Sequence, residues 1–358
     1  MMKLYVKLMV AGVAAAALLT GCSKKSTAKA AAETPAGDTE LNLYVWTEYI
    51  PDAVIQKFTD DTGIKVNMST YSSNEDMLAK VKAETQGAYD VVQPSDYMVE
   101  HMIKEDMLAE LDKSKLTNLG NLAQQYLNPT YDPGNKYSVP YLGGLAAIGV
   151  NTAKVTKNIT SYNDLFDPSL AGTEVVLDDF RAVIGMTARS MGYSMNETDH
   201  DKLAKIAGKL YTLKPNVKLY DSDSPKSALI SGDCTVAYCW GAEIALAMRE
   251  NPAIKIVYPT EGAYKFMDNW AVLKGAKHPD AAVKFINFML DPKVHEMVLA
   301  EFPYMSPNAT AVKEMGEEYA SNTAINPPKE AVEAGEFVQN LDPETLALYD
   351  AMWTKLKS

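Results

Sequence analysis

The sequence predicts a two-lobed α/β fold. Three observations predict it: apolar residues that alternate between a period of two and a period of 3.6, more than 300 residues of ordinary apolar content, and no short internal repeat. A chain of that size exceeds one compact core and divides into lobes.

At the N-terminus Lys3 and Lys7 flank the start of an apolar run, Leu8 to Leu19, too short to span a bilayer comfortably. Leu19-Thr20-Gly21-Cys22 fits the lipobox at which a bacterial signal peptide is cut and the new terminal cysteine acylated. Residues 1–21 are thus expected to be a lipoprotein signal peptide and Cys22 the lipid-attachment residue. The alternative is an uncleaved anchor helix with an incidental cysteine; the charged start and the small residue before Cys22 favour cleavage. The mature protein is then exported and lipid-anchored at the cell membrane, on its periplasmic or cell-surface face. Residues 22–40 are rich in Ala, Ser, Thr and Lys without large apolar side chains, and read as a flexible tether.

From Leu41 the βα pattern begins. Leu41 to Trp46 alternates as a strand, Pro51 opens a helix with Val54, Ile55 and Phe58 on one face, and Gly63 stops it before a second strand, Ile64 to Met68. Ser73 or Asn74 caps a helix to about Glu84, Tyr89 to Val92 reads as a third strand, and Ser95 or Asp96 caps the next helix. Further strands are expected near Leu145 to Val150, Glu174 to Leu177, Thr235 to Trp240 and Trp270 to Leu273. Helices are expected over Pro279 to Leu290 and Glu344 to Leu356, with apolar stripes that are ordinary core.

The 34 basic and 46 acidic residues give a formal net charge of −12, and −14 once the two lysines of residues 1–21 are removed. Nucleic acid is a poor partner for such a surface, whereas cations are drawn to it. Cys234 and Cys239 sit five apart in an apolar strand, facing opposite sides and about 16 Å apart along it, beyond disulfide reach. They are expected to be buried thiols. His101, His200, His278 and His295 are scattered, none at ligand spacing from a cysteine, so neither a metal nor a cofactor is called for. No catalytic residue is assigned: nucleophile elbow, zincin helix and phosphate loop are all missing.

What recurs is an aromatic beside an acid at strand ends: Trp46-Thr47-Glu48-Tyr49, Ser95-Asp96-Tyr97, Trp240-Gly-Ala-Glu243 and Phe266-Met-Asp268. Strand ends of open α/β sheets gather ligands. An aromatic face attracts an alkylammonium and packs its methylenes, and a carboxylate pairs with the charged head. Taken singly, each pair is equally a packed tryptophan and a helix-capping acid; four of them point to a cationic ligand.

At these residues the sequence resembles the extracytoplasmic spermidine/putrescine-binding proteins of bacterial ABC importers. The likeness is carried by Tyr44-Val-Trp-Thr-Glu-Tyr-Ile-Pro51, Thr62-Gly-Ile-Lys-Val66, Gly87-Ala-Tyr-Asp-Val-Val92, Pro94-Ser95, Asp112-Lys-Ser-Lys-Leu-Thr-Asn118, Ala147-Ile-Gly-Val-Asn151 and Ile286-Asn-Phe288. The resemblance implies a two-lobed periplasmic-binding-protein fold (type II), with a ligand crevice between lobes joined by a hinge. Lobe one would comprise 41–145 plus 268–308 and lobe two 146–267 plus 309–358, with crossings near Gly144, Met267 and Asn308. It implies an aromatic box of Trp46, Tyr97, Trp240, Phe266 and Tyr304. Thr47, Glu48, Ser95, Asp179, Ser222, Asp268 and Gln339 would supply polar contacts, with Tyr49 beside them. Asp268 would hold one terminal ammonium, Glu48 would reach the other directly or through water, and Trp46 and Trp240 would sandwich the methylenes.

Ala182, Glu243 and Phe266 match the putrescine-selective pattern, whereas Trp46 to Tyr49 and Gln339 match the spermidine-selective one. The implied function is capture of a polyamine, putrescine or spermidine, and its delivery to an ABC permease by a monomer without enzymatic activity. Two alternatives stand beside it: a sensory subunit for a membrane signalling protein, and an extracellular enzyme using Glu243 and Asp268 as acid and base.

Overall fold

The computed structural model describes residues 38–358. The expected signal peptide, the acylated Cys22 and residues 22–37 of the expected tether lie outside the described residues. Asp38 and Glu40, which composition assigns to the tether, are instead held by the fold: Asp38 accepts from the Ala281 N–H at 2.9 Å, and Glu40 opens the first strand.

Ten strands form one sheet. In chain order they are β1 (Glu40–Trp46), β2 (Lys65–Tyr71), β3 (Val91–Val92), β4 (Ser138–Asn151), β5 (Glu174–Val176), β6 (Val217–Tyr220), β7 (Val236–Trp240), β8 (Ile254–Val257), β9 (Tyr264–Val272) and β10 (Glu336–Phe337). Across the sheet the order is β2-β1-β3-β9-β4-β7-β5-β6, with β10 against β9 and β8 against β4. The helices that position the site are α1 (Asp52–Thr62), α2 (Asn74–Ala83), α3 (Asp96–Lys104), α4 (Phe180–Arg189), α5 (His200–Leu210), α6 (Pro225–Ser231), α7 (Gly241–Glu250) and α8 (Pro279–Met289).

The first βα unit shows how local sequence makes these elements. Pro51 precedes α1, Val54 and Phe58 bury one face, and Gly63 ends the helix at φ 73°, its N–H donating to the Thr59 carbonyl. Phe58 meets Phe285 and Phe288 edge-on at 5.1 and 5.2 Å, docking α1 on α8. Burying such a ring contributes about 2–3 kcal/mol.

Two lobes share the sheet. The β1–β3 strands are parallel to one another and belong to one, as β5, β6 and β7 belong to the other. Antiparallel β4 and β9 run through both. β3 joins β9 at Ala271–Val272, whereas β7 joins β4 from Ala146 onward. Between these points the ladder narrows to Leu142–Leu145 against Lys265–Asp268, flanked by β10 at Lys265 and by isolated bridges from Ser95 and Met305. A Cβ on Gly143 would lie 2.8 Å from the Phe266 carbonyl oxygen, so this close approach of strands requires glycine.

Both crossing strands are longer than sequence periodicity indicates. β4 begins at Ser138 rather than Leu145, and β9 at Tyr264 rather than Trp270. Gly143-Gly144 and Asp268-Asn269 interrupt the apolar pattern there, at the narrow crossing between the lobes. Cys234 and Cys239 are both buried and free.

Candidate functional site

Asp268 sits at the narrow crossing, on the same face of β9 as Phe266 two residues before it. Its position corrects the reading of Phe266-Met-Asp268 as a strand end, since it lies in the middle of β9. The carboxylate is buried and accepts from the Tyr49 hydroxyl at 2.6 Å and the Ser95 hydroxyl at 2.5 Å. Burial pushes Asp268 up to about 7, with the Ser95 and Tyr49 hydrogen bonds opposing the rise. Among the described residues it has no Lys, Arg or His ion-pair partner.

Ser95 shows how the fold diverts a capping residue to the site. It precedes α3 in the N-cap position without making a side-chain cap. Its hydroxyl instead donates to Asp268 while Asn74, at the start of α2, donates to that hydroxyl at 3.0 Å and accepts the Ser95 N–H.

Above Asp268 opens a narrow cleft of about 40 Å³. Its aromatic walls are Trp46 from the end of β1, Trp240 from the end of β7, Phe266, and Tyr304. Trp240 meets Phe266 at 5.0 Å and Tyr304 meets Tyr49 at 4.9 Å, each edge-on, so the rings brace one another. Thr47, Tyr49, Ser95, Asp179 and Ser222 complete the polar lining expected from sequence. The Ser222 hydroxyl is buried without a hydrogen-bond partner among the described residues, and the Trp46 indole N–H is directed at the Asp268 carboxylate, whose rise it helps to oppose. A polar ligand in the cleft would satisfy the Ser222 hydroxyl.

Five expected site residues lie outside this lining. Tyr97 is buried behind it, its hydroxyl donating to Glu75 at 3.0 Å and its ring facing the Arg181 guanidinium at 5.2 Å. Ala182 supports the site through its backbone: its N–H donates to Asp179 Oδ1, capping α4. Gln339 faces a second, wider groove, and its carbonyl accepts from Arg181 Nη2 at 2.7 Å. Glu48 and Glu243 both turn to the Lys226 ammonium, Glu48 at 2.5 Å and Glu243 at 3.0 and 3.2 Å.

The electrostatics follow from burial. Glu243, 3% exposed at its side chain, is pushed up to about 7 by desolvation, which the Lys226 charge partly offsets. Glu75 is pushed up to about 7 by desolvation and then by Asp179, and Arg181 opposes this. Asp179 is raised by desolvation, opposed by the Ala182 N–H and Arg181.

Four participants escape sequence reading. Asn74 is legible only as a cap, Asp223 sits among other acids, and Tyr264 lines the cleft from the first residue of β9. Lys226 had a usable signal. It follows Pro225 in the first turn of α6, where the helix dipole disfavours a cation unless acids face it.

The family of bacterial extracellular solute-binding proteins matches residues 53–327. The spermidine/putrescine-binding periplasmic protein of Escherichia coli K12 is 40% identical over 319 residues, 89% of this chain and 91% of that protein. A Listeria monocytogenes structure assigned to a spermidine/putrescine ABC transporter superposes with a TM-score of 0.86 at 34% identity, covering 89% of this chain and 99% of that one. The crystal structure of a Treponema pallidum lipoprotein superposes at 0.77 and 29% identity, covering 88% and 99%.

Proposed function

The chain belongs to the bacterial extracellular solute-binding proteins, and from that premise we propose that its cleft captures a polyamine, putrescine or spermidine, and delivers it to the membrane permease of an ABC importer. The observation that carries this reading is Asp268: a buried carboxylate with hydroxyl donors and no cationic partner among the described residues, facing a cleft walled by aromatic rings. A primary ammonium supplies the missing charge, and the rings pack its methylene chain. Asp179 and Asp223 on the wall offer further acceptors.

The magnitudes suit a transport receptor. Two or three charge-assisted contacts contribute about 1.5–3 kcal/mol each and cation–π contacts about 1 kcal/mol, together near the roughly 8 kcal/mol of micromolar binding. Asp268, Phe266 and Trp46 lie at the crossing or in the first lobe, Trp240, Ser222 and Asp179 in the second. A ligand touching both sets favours the closed arrangement by that difference in contacts. Binding proceeds without turnover, as a monomer tethered through an acylated Cys22. The relatives' names, the match over most of the chain and the lipoprotein among the solved structures support this reading.

Calorimetry of the unacylated protein with putrescine, cadaverine, spermidine and spermine tests it. One-to-one binding with the amine recovered intact is expected. Absence of both heat and thermal shift with all four would sink the polyamine assignment.

A further inference from the structure

Lys226 makes the contacts of an amine ligand without being one. Its ammonium is bonded by Glu48 at 2.5 Å, Glu243 at 3.0 Å and the Ser224 hydroxyl at 3.0 Å, a partner for each of its three N–H donors. Glu48 comes from the turn after β1 in one lobe, whereas Lys226 and Glu243 open α6 and α7 in the other, so the cluster spans the cleft. The backbone of Glu48 is held at φ 50°, a left-handed conformation uncommon for a residue with a side chain. The Lys226 side chain is 18% exposed and that of Glu243 3%, which places their pairing largely out of water.

The cluster lies just outside the cleft lining and adjoins it through Thr47, Tyr49, Asp223 and Trp240. Tyr304 lines the cleft, and its hydroxyl is pushed upward first by burial and then by the charges of Glu243, Asp268 and Glu48. Trp240, a wall of the cleft, lies three residues before Glu243 on the same strand-to-helix turn, and its indole N–H donates to the Ser222 carbonyl beside α6.

Resting on the polyamine reading above, we propose that Lys226 is a specificity-determining residue: its tethered ammonium fills the place of one ligand ammonium, so the cleft prefers a diamine to a triamine. A diamine pairs with Asp268 and the acids of the wall and leaves the cluster intact. A triamine long enough to reach Glu48 and Glu243 meets a positive charge already seated between them, and must displace it.

The test compares putrescine and spermidine on the wild-type protein, Lys226→Met, and the double variant Lys226→Met with Glu243→Gln. The double variant keeps the local net charge and leaves Glu48 free, so it carries the same readout should the single variant, with Glu243 stripped of its partner, fail to fold. In either folded variant the ratio of putrescine to spermidine affinity should fall by about tenfold or more, since a ligand ammonium gains charge-assisted bonds that Lys226 held. A loss of fold support alone would weaken both ligands alike. A ratio within about twofold of wild type overturns the role of Lys226 while the polyamine reading stands; a wild-type protein that binds neither amine overturns the polyamine reading itself.

Discussion

At one end of the cleft Asp268 has two hydroxyl donors and no cation; at the other, Glu243 has a lysine from its own lobe. Burial raises both carboxylates to about 7, so each asks for a counter-charge when ionised. What differs is who meets it. The chain supplies the counter-charge at the Glu243 end and leaves it to the ligand at the Asp268 end. A buried acid is therefore informative about binding only when its partners are known: the same burial marks a receptor at one position and a structural ion pair at the other.

The contrast can be broken most severely at Asp268. Asp268→Asn should lose about 2–5 kcal/mol of ligand binding, a Kd raised by about 30-fold or more, because the ammonium keeps its desolvation cost without a charge partner. Calorimetry checks this, and an unchanged Kd would remove Asp268 from the site.

Next comes pH. Free Asp268 holds its proton below about 7, and a cation binds the ionised form, so ligand binding expels that proton under acidic conditions. Affinity should fall about tenfold per pH unit below 7, with proton release seen as a dependence of heat on buffer ionisation enthalpy. Glu243→Gln should keep this slope, and Asp268→Asn should abolish it. The same shift has an opposite sign for the empty fold. A raised carboxylate stabilises most below its unfolded value and loses that contribution as pH rises through about 7, so ligand should protect against heat more at pH 8 than at pH 5.

Trp240→Ala removes a wall that both ends share, and should raise Kd for any amine by roughly tenfold. The smallest effect is expected at the satisfied end. Glu48 is 40% exposed, and Glu243 still holds Lys226 when Glu48 becomes Gln, so diamine affinity should change by less than about threefold. A large loss on Glu48→Gln, read in the same titration, would show that the two ends are not electrostatically different after all.

Much of the fold was legible because βα units write themselves locally. Pro51, Gly63 and Ser73 act where their chemistry predicts, as helix start, stop and cap. The crossing strands were less legible, since Gly143-Gly144 and Asp268-Asn269 serve a backbone approach and a polar site rather than a core face. For the site, sequence located the acids and rings that end strands, and the family likeness assembled them. It could not foresee that Glu48 and Glu243 share one lysine, because Lys226 lies 178 residues from Glu48 and 17 from Glu243, and only the fold makes these neighbours. Nor could it see that Tyr97 turns to Glu75: an aromatic after a strand carries no mark of which side it faces.

The narrowing of the sheet between Leu142–Leu145 and Lys265–Asp268 has a practical corollary. Mechanically, β2 and β6, at opposite edges of the sheet, would act as lever arms about this crossing, where β10 and the isolated bridges from Ser95 and Met305 flank β4 and β9. Met68 on β2 and Leu219 on β6 are exposed at those edges and are not among the residues that line the cleft. Fluorophores attached through cysteines at these two positions would translate amine capture into a distance-dependent optical signal, turning the chain into a reagentless sensor for its own ligand.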